Sequence, residues 1–421
     1  MDKAPVVVIG AGAAGLMAGI FAASPRRVPV LLLERTRDGG RKILISGGGR
    51  CNILPAEVQP ARFVTDSSPN TLRNLLRAWP LADQRAFFES TLGVPLALEA
   101  DTAKYFPRSN QAREVRDALV RHARSVGVQV RCDTRVADVV PARGEDGARW
   151  RVLIDGADPI DASAVILATG GLSVPATGSD GSGLAIARRL GHTVHDTYPA
   201  LTPLIADPPV HDVLSGVSVT ARLRAGQTQA DRLTTTGGFL FTHRGYSGPA
   251  VLDLSHLPVR ARLAGQPQAM PVQVQWSIDH DEAAWQQRLQ AALRQNGQGL
   301  VVTIVRQLLP NRLADWLVAD AGLPLDRTLA TLTRAERLAL IARLCRYPLP
   351  WTGDEGYKKA EVTGGGVALD DVDPKTLESR RHRGLFLCGE LLDAFGPIGG
   401  HNFAWAWATG RSAGLGAANS P

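Results

Sequence analysis

Residues 6–15 read Val-Val-Val-Ile-Gly-Ala-Gly-Ala-Ala-Gly, an apolar run followed by three closely spaced glycines. The apolar run predicts a short buried strand, and the apolar segment at residues 16–23 predicts a helix. Between them, Gly10 allows a tight turn, Gly12 lets the backbone approach a pyrophosphate, and Gly15 lets the helix pack closely on the strand. Because the first turn of a helix presents free N–H groups and a positive dipole, it attracts phosphate. The stretch therefore predicts a dinucleotide-binding site.

An acidic residue at the expected distance extends this pattern. A second apolar strand is predicted at residues 30–33, and Glu34 follows it, 19 residues after Gly15. An acidic side chain at this place accepts hydrogen bonds from the adenosine ribose, and its charge disfavours a 2′-phosphate there. Strand, glycine turn, helix, second strand and acid agree with the dinucleotide fingerprint, although a glycine turn used only for packing stays open as an alternative.

The composition is that of a soluble globular protein with two or three domains, since 44% of the 421 residues are hydrophobic and 21% are charged. The formal net charge is +7, and six of the 47 basic residues are lysine. Groups of arginines occur at residues 113–124 and 380–383. We interpret each group as a solvated face, while a basic surface that engages RNA stays open.

Cysteine usage and hydropathy bear on the cellular location. The four cysteines include no C-x-x-C pair, which argues against a disulfide scaffold, a metal site and a redox-active dithiol. The apolar run near the N-terminus carries the glycine fingerprint and so is not a signal peptide. No uninterrupted apolar stretch reaches about 20 residues, so no membrane span is predicted. We expect a cytoplasmic protein.

Changes of pattern along the chain predict an α/β fold with a split nucleotide-binding domain. Residues 1–194 alternate between strand and helix patterns and include a meander with a turn at residues 144–147. Period-2 alternation at 195–280 predicts a β-barrel-like domain, and leucine and tryptophan stripes at 281–348 predict a helical domain. Glycine-rich α/β character returns at 349–421. The two middle segments are therefore interpreted as insertions into one domain.

Three further segments bear on which dinucleotide is bound. A strand at 164–168 leads into Thr169 and Gly170, a pattern that occurs often in flavoproteins. A strand from residue 384 ends in Gly389-Glu390, so that the Glu390 carboxylate can lie against the ribityl hydroxyls of a flavin. A glycine-rich turn at 396–402 opens a helix, and its N–H groups would favour the negative charge of a reduced flavin. A simple helix cap by Asn402 is compatible with this reading.

The run Gly-Gly-Arg-Lys-Ile-Leu-Ile-Ser-Gly-Gly-Gly-Arg-Cys-Asn at residues 39–52 has too many glycines and polar groups for a core element. It suits a loop over phosphate and isoalloxazine, with Arg41, Lys42 or Arg50 supplying positive charge. A flexible surface loop is the alternative.

Several runs in order resemble the BaiN/YhiN-like family of NAD(P)/FAD-dependent oxidoreductases over essentially the whole chain. They are S-G-G-G-R-C-N at 46–52, F-T-H-R-G-Y-S-G-P-A at 241–250, T-G-G-G-V at 363–367, and G-E-L-L-D with G-G-H-N-F-A-W-A-W-A-T-G within 389–410. The resemblance implies a split Rossmann-type FAD-binding domain with inserted β-barrel and helical domains. His401 departs from the family, in which tyrosine is common at that position.

Fingerprint and resemblance together nominate a set of cofactor-binding residues. They are Gly10, Gly12, Ala14, Gly15, Glu34, Arg35, Arg41, Lys42, Ser46, Gly47, Gly48, Arg50, Cys51, Asn52, Val136, Thr169, Gly170, Gly389, Glu390, Gly400, Asn402 and Phe403. The cofactor implied is FAD. Because the glycines at 178–183 have a different spacing, a second nucleotide domain is not predicted, and NAD(P)H is expected to visit the flavin transiently.

The resemblance also implies reduction of an activated C=C bond, either in a bile-acid enone or in a uracil of ribosomal RNA. Such a reduction needs a hydride at one carbon and a proton at its neighbour. The candidate proton donors are Cys51, Tyr105, His243, Tyr246 and His401. Cys51 ranks first because it lies in the glycine loop beside Arg50, which could lower the thiol pKa or orient a carbonyl. An inert thiol at Cys51 and a structural His243 are the alternatives.

Three functions remain in view from the sequence. The leading one is an FAD-dependent reductase acting on a small molecule or an RNA base. The second is an oxygen-using oxidase or monooxygenase. The third is an RNA- or ribosome-binding protein with a structural flavin. The sequence leaves the substrate, the electron donor and the oligomeric state open.

Overall fold

The computed structural model describes residues 4–23, 29–142, 149–226 and 232–420. The chain divides into two compact units, one formed by Met1–Tyr198 and Val362–Pro421 and the other by Pro199–Glu361. The predicted turn at 144–147 lies outside the described residues.

A five-stranded parallel sheet forms the centre of the first unit. Its strands are β1 (Val6–Ile9), β2 (Val30–Leu33), β3 (Val128–Arg131), β4 (Ala164–Leu167) and β5 (Leu385–Leu387). They lie in the order β5-β4-β1-β2-β3, with β1 between β4 and β2. All residues of β1, β2, β4 and β5 are buried. Strands covered on both faces need continuous apolar runs, which is why these four consist of apolar residues without alternation.

Two helices at opposite ends of the chain pack directly on each other. They are the fingerprint helix α1 (Ala13–Ala23) and the C-terminal helix α3 (His401–Asn419), while α2 (Ala112–Ser125) also packs on α1. A Cβ added to Gly410 would lie 2.4 Å from the Ala14 carbonyl oxygen, and one added to Gly414 would lie 2.4 Å from that of Ala18. Only glycine permits this approach of two helix backbones. These glycines are therefore packing positions and do not end the helix, which continues to Asn419.

The remaining elements of the first unit surround this sheet. Further helices are Arg41–Ile45, Pro69–Arg77, Leu81–Ala86 and Ser182–Arg189. Smaller antiparallel sheets join Leu54–Pro55, Lys104–Pro107 and Leu96–Glu99, and likewise Val136–Pro141, Trp150–Ile154 and Ala157–Ala162. A two-stranded sheet joins Val194–Ala200 with Val362–Val367. The helix Ala112–Ser125 followed by the strand Val128–Arg131 agrees with the alternation of helix and strand patterns predicted for residues 1–194.

The second unit contains a seven-stranded antiparallel sheet. In spatial order its strands are Tyr347–Pro348, Val272–Gln275, Ser218–Ala225, Leu233–Phe241, Gly245–Ser247, Leu204–Ile205 and Gly353–Asp354. The strand-rich character predicted from residue 195 is therefore present. Within the described residues the first and last of these strands are the two edges of the sheet.

Helices of the second unit share one hydrophobic core with this sheet. They are Pro249–Leu254, His256–Leu263, Glu282–Gln295, Val301–Arg306, Asn311–Asp320 and Arg334–Cys345. Trp285 and Leu317 of these helices are fully buried in the same cluster as Phe239 and Trp276. The two predicted inserted domains thus share a core, while their border at 280/281 stays a prediction.

A capping box begins the last helix in this unit. The Thr333 N–H donates to Glu336 Oε2 at 2.9 Å, and the Glu336 N–H donates to Thr333 Oγ1 at 3.2 Å. Among the helices in the described part of the chain, none has the length and apolarity needed to cross a membrane.

We expect Gly410→Ala to destabilise the first unit by about 1–3 kcal/mol, because the added methyl would force two helix backbones apart. Gly19→Ala is the matched control, since its Cβ would meet Leu32 Cδ1 at 3.4 Å, an ordinary contact. That control gains helix propensity of up to about 1 kcal/mol. Thermal unfolding midpoints of the two variants test this, and equal midpoints would contradict the packing argument.

Candidate dinucleotide site

The glycine turn between β1 and α1 combines two crowded positions with one open position. A Cβ added to Gly10 (φ 99°) would lie 2.6 Å from the Ala168 carbonyl oxygen, and one added to Gly15 would lie 1.8 Å from that of Gly10. A Cβ added to Gly12 would meet no described atom within 4 Å. Packing therefore requires Gly10 and Gly15, whereas the backbone at Gly12 faces open space. A pyrophosphate fits such an approach.

Glu34 is fixed at the end of β2 beside this turn. Its carboxylate is largely buried and accepts hydrogen bonds from the Ala11 N–H at 2.8 Å, the Thr36 N–H at 2.8 Å and the Thr36 hydroxyl at 2.7 Å. A carboxylate offers about four acceptor positions, so capacity remains for a ribose hydroxyl. The Thr134 N–H donates to the Glu34 carbonyl at 2.8 Å, which brings the segment leading to Val136 to the same end of the sheet.

The segment after β4 approaches Glu34 from the other side. A Cβ added to Gly178 would lie 3.7 Å from Glu34 Oε1. Arg35 forms an ion pair with Asp180. Arg41 pairs with Asp38 at 2.8 Å and also donates to the Ala176 carbonyl at 3.4 Å. Arg35 and Arg41, both nominated as cofactor ligands, thus contact acidic side chains and this segment in the structure.

A compact polar cluster joins residues that are far apart in the sequence. Lys42 Nζ donates to Glu390 Oε2 and to Ser173 Oγ, each at 2.6 Å, although Lys42 and Glu390 are 348 positions apart. Glu390 Oε1 accepts from Ser173 Oγ at 2.5 Å, from Thr363 Oγ1 at 2.9 Å and from the Thr363 N–H at 3.0 Å. The Leu172 N–H in turn donates to Thr363 Oγ1 at 2.7 Å. Glu390 is thereby held rigidly by donors from three separate parts of the chain.

This cluster lies next to the fingerprint because Gly389 contacts α1. A Cβ added to Gly389 would lie 2.7 Å from the Ala14 side chain. The Gly389 N–H donates to Thr409 Oγ1, and Trp405 Nε1 donates to the Gly389 carbonyl, each at 3.0 Å. The polar side chains of α3 therefore lock the segment that carries Glu390.

The turn before α3 is closed by its own side chains. Asn402 accepts from the Gly396 N–H and donates to the Gly396 carbonyl, each at 2.9 Å. The Phe403 ring stacks on Trp407 at a centroid distance of 5.3 Å. Gly400 (φ 92°) approaches Leu54 so closely that a Cβ would lie 2.6 Å from its carbonyl carbon. The helix cap by Asn402 that the sequence suggested is therefore wrong, because Gly400 is the N-cap and no side chain caps the helix, while Asn402 closes the preceding turn. Contacts of this turn with a cofactor stay a prediction.

The glycine loop is more ordered than expected. Arg41–Ile45 forms a short helix because Gly40 adopts a left-handed conformation (φ 74°) and Ile43 is fully buried. Gly47 and Gly48, whose φ angles are 56° and 68°, then form a tight turn. The Ser46 carbonyl accepts a hydrogen bond from the Cys51 N–H at 3.0 Å, which closes the loop ahead of Asn52. Thr169 and Gly170 lie half-buried after β4.

Cys51 differs from the reactive thiol that the sequence suggested. Its side chain is fully buried, and burial raises the pKa of the Cys51 thiol to about 12. Arg50 instead pairs with Glu99 at 2.9 Å, donates to Asn110 at 3.0 Å and lies 4.0 Å from the centre of the Phe106 ring. The expected lowering of the thiol pKa by Arg50 is therefore wrong, because desolvation outweighs any neighbouring charge.

The other predicted proton donors occupy varied environments. Tyr105 lies beside the Arg85 guanidinium, and the distance from the centre of its ring to the Arg85 guanidinium carbon is 5.1 Å. His243 is exposed on the hairpin turn of the second unit, and Tyr246 is fully buried there with its hydroxyl 2.8 Å from His211 Nδ1. His401 is buried against Phe63, and desolvation lowers the pKa of its ring to about 4. Tyr105 and His401 belong to the first unit, and His243 and Tyr246 belong to the second.

Ser173, Thr363 and Asp180 are site residues that sequence reasoning missed. Thr363 begins the T-G-G-G-V run, so that run was a usable signal for it. Ser173 and Asp180 follow the strand that ends in Ala-Thr-Gly and carry no signal of their own, because their partners are distant in the sequence.

A parallel sheet, a glycine turn open to a pyrophosphate and a rigid acid on each side define a Rossmann-type dinucleotide-binding enzyme. The chain belongs to the HI0933-like family, since the family model described as "HI0933-like protein Rossmann domain" matches residues 4–416. The resemblance to the BaiN/YhiN-like flavoproteins is thereby confirmed, and the chain is an oxidoreductase of this flavoprotein class.

Relatives and a solved structure agree with this assignment. The chain is 33% identical to the 3-dehydro-bile acid delta(4,6)-reductase of Clostridium scindens, over 98% of the chain and 99% of the relative. It is 32% identical to the ribosomal RNA dihydrouridine synthase of Escherichia coli, over 97% of the chain and 96% of that relative. The 3-ketosteroid delta1-dehydrogenase structure from Sterolibacterium denitrificans superposes with a TM-score of 0.51 at 13% identity, with full coverage of both chains, and this likeness concerns the fold.

We expect Lys42→Met to lower the affinity for FAD, because it leaves the Glu390 carboxylate without its cation in a half-buried site. Loss of such a charged hydrogen bond costs about 1–3 kcal/mol. Lys375→Met, at an exposed position, is the matched control. The FAD-to-polypeptide ratio after dialysis measures the effect. The double variant Lys42→Met/Glu390→Gln should lose less than the two single variants added together, and strict additivity would contradict a direct interaction.

We expect Cys51 to resist iodoacetamide in the native protein at pH 8.5, since thiolate forms only as the pH rises towards about 12. The half-buried Cys132 should react faster, and both should react equally in guanidinium. Peptide mass spectrometry measures the labelling. Faster labelling of Cys51 than of Cys132 would support the reactive thiol suggested by the sequence.

Proposed function

We propose that this protein is an FAD-dependent reductase of a C=C bond conjugated to a carbonyl, with NAD(P)H as the electron donor. The observation that carries the proposal is the rigid Glu390 cluster placed beside the glycine turn through the Gly389–Ala14 contact. Glu34 lies on the other side of that turn. The arrangement therefore suits FAD, whose pyrophosphate is flanked by the adenosine ribose on one side and the ribityl chain on the other.

Gly12, Glu34, Lys42 and Glu390 form what we call the cradle, the set of residues proposed to hold FAD. They have distinct tasks. Glu34 would accept hydrogen bonds from the adenosine ribose, and the backbone at Gly12 and the start of α1 would bind the pyrophosphate. Glu390 already accepts from four donor groups of Lys42, Ser173 and Thr363, so a ribityl hydroxyl would take the place of one of them. Lys42 balances the charge of Glu390 at 2.6 Å. When bound, FAD supplies hydride transfer to and from its isoalloxazine.

The two curated relatives support this reaction class. One is named a delta(4,6)-reductase and the other a dihydrouridine synthase, and both names describe the saturation of a C=C bond conjugated to a carbonyl. Their substrates differ in size, so the proposal extends to a small-molecule enone or to a uracil of ribosomal RNA. Because the chain matches each at nearly the same identity, both stay within the proposal.

The packing of the glycines at 178–183 supports transient binding of NAD(P)H at the flavin site. Gly181 precedes the helix Ser182–Arg189, and a Cβ added to Gly183 would lie 2.0 Å from Thr169 Oγ1. Gly183 therefore serves close packing and leaves no gap there for a second pyrophosphate. A donor that shares the flavin site fits this geometry.

Anaerobic reoxidation of the reduced holoenzyme tests the function. Photoreduced protein is mixed with a 3-oxo-4-ene steroid, with unmodified ribosomal RNA transcript or with buffer, and flavin absorbance is followed. We expect one of the first two to restore the oxidised spectrum, and NADH or NADPH to reduce it again. Reoxidation by O₂ alone, with release of peroxide, would identify an oxidase instead. Salt-sensitive RNA binding without any reoxidation would identify an RNA-binding flavoprotein.

A further inference from the structure

A histidine and a buried carboxylate form a pair in the first unit that the cofactor cradle does not use. His195 Nε2 lies 3.7 Å from Asp393 Oδ2, an ion-pair distance that is slightly longer than a hydrogen bond. The Asp393 side chain is 2% exposed, whereas the His195 side chain is 30% exposed. The carboxylate is therefore inside the protein, and the imidazole reaches solvent.

Neighbouring donors hold Asp393 in place. Its Oδ2 accepts from the Asp66 N–H at 2.9 Å and from Ser67 Oγ at 2.8 Å, and Thr65 Oγ1 lies 3.0 Å away. The Asp393 N–H donates to the Val367 carbonyl at 2.8 Å. These neutral donors hold the carboxylate with its Oδ2 towards the adjacent ring. His195 therefore has a fixed carboxylate partner.

Both members of the pair are attached to the elements that form the cradle. Asp393 lies between Glu390 and the turn that begins at Gly396. His195 belongs to the strand Val194–Ala200, which pairs with Val362–Val367, and Thr363 of that second strand binds Glu390. Gly365 brings the two strands together, because a Cβ there would lie 3.1 Å from the His195 carbonyl oxygen.

A proton donor must reach its substrate and must regain its proton from water after each turnover. Cys51, Tyr246 and His401 are buried, and their pKa values are shifted away from neutrality by desolvation. His195 is a partly exposed imidazole with an oriented counter-charge, in the unit that holds the cradle. The exposed ring can regain a proton from water, and its strand pairs with the strand that carries Thr363 of the Glu390 cluster. No pattern in the sequence had selected it.

We propose that His195 donates the proton that completes reduction of the double bond, and that Asp393 is the positioning residue that orients the ring. This inference rests on the proposed reductase function. One alkene carbon receives a hydride, with two electrons, from reduced flavin, and its neighbour receives the proton that the imidazolium releases. The ring becomes neutral and is reprotonated by water, while its other N–H stays directed at Asp393.

The test separates proton delivery from electron transfer. Photoreduced His195→Gln and Asp393→Asn holoenzymes are mixed anaerobically with the enone or RNA that reoxidises the unaltered protein, and in parallel with ferricyanide. Ferricyanide takes electrons without needing a proton on carbon. We expect reoxidation by the double bond to slow about a hundredfold or more in His195→Gln, with ferricyanide reoxidation and FAD content unchanged. His122→Gln, on α2, is the matched control.

Two readouts distinguish this role from a merely structural one. Free imidazole should restore reoxidation in His195→Ala. NMR of protein labelled with ¹⁵N-histidine supplies a second readout that needs no turnover. The signal that is missing from the spectrum of His195→Gln belongs to His195, and in Asp393→Asn this signal should show a changed tautomer pattern.

The outcomes separate the inference from the proposed function. Full-rate reoxidation of His195→Gln by the double bond overturns the inference and leaves the reductase function standing. Equal slowing with ferricyanide and the double bond also overturns it, because the defect would then lie in electron transfer. Failure of the unaltered protein to reduce any of these double bonds overturns the proposed function and, with it, the inference.

Discussion

The close backbone contact between α1 and α3 is the constraint on which the rest of the first unit depends. Gly410 and Gly414 bring the C-terminal helix against Ala14 and Ala18 of the fingerprint helix. Any side chain at either glycine would separate the helices. Because α3 also holds Gly389 through Thr409 and Trp405, this contact determines where Glu390 lies relative to the glycine turn. Two stretches of chain at opposite ends of the sequence thereby form one site.

Charge pairing is the second organising feature of the site. Each cation nominated as a cofactor ligand contacts a carboxylate. Arg35 contacts Asp180, Arg41 contacts Asp38, Lys42 contacts Glu390 and Arg50 contacts Glu99. An arginine or lysine held by a carboxylate is already oriented, so less side-chain entropy is lost when a ligand arrives. The pairs position these side chains as well as balancing their charge.

Local patterns made the Rossmann framework readable from the sequence. The strands β1, β2 and β4 are buried on both faces, so each appears as an uninterrupted apolar run. The steric contact that requires Gly15 is also local, since it is with the Gly10 carbonyl, whereas the contact that requires Gly10 is with the distant Ala168. The capping box of Thr333 is local in the same sense. Such features depend on near neighbours and can be recognised without knowing the tertiary structure.

Features that depend on distant partners could not be read in this way. Ser173 and Thr363 are 190 positions apart, and only the folded chain brings the Thr363 hydroxyl to the Ser173 backbone. The misjudgement of Cys51 has the same origin, because its burial reflects packing of the surrounding chain while the sequence showed only an adjacent arginine. His195 and Asp393 likewise come from segments far apart in the sequence.

The split arrangement of the parallel sheet has a consequence for biosynthesis. β4 pairs with β5 along its outer side, yet β5 begins at Leu385, 218 positions after β4 ends at Leu167. At a synthesis rate of roughly 5–20 residues per second, the ribosome needs on the order of 10–40 seconds to make that stretch. Throughout this interval the nascent chain carries an apolar strand with an open edge, which is the kind of surface that chaperones bind and that aggregates form on. Capture of the flavin must therefore await nearly complete translation.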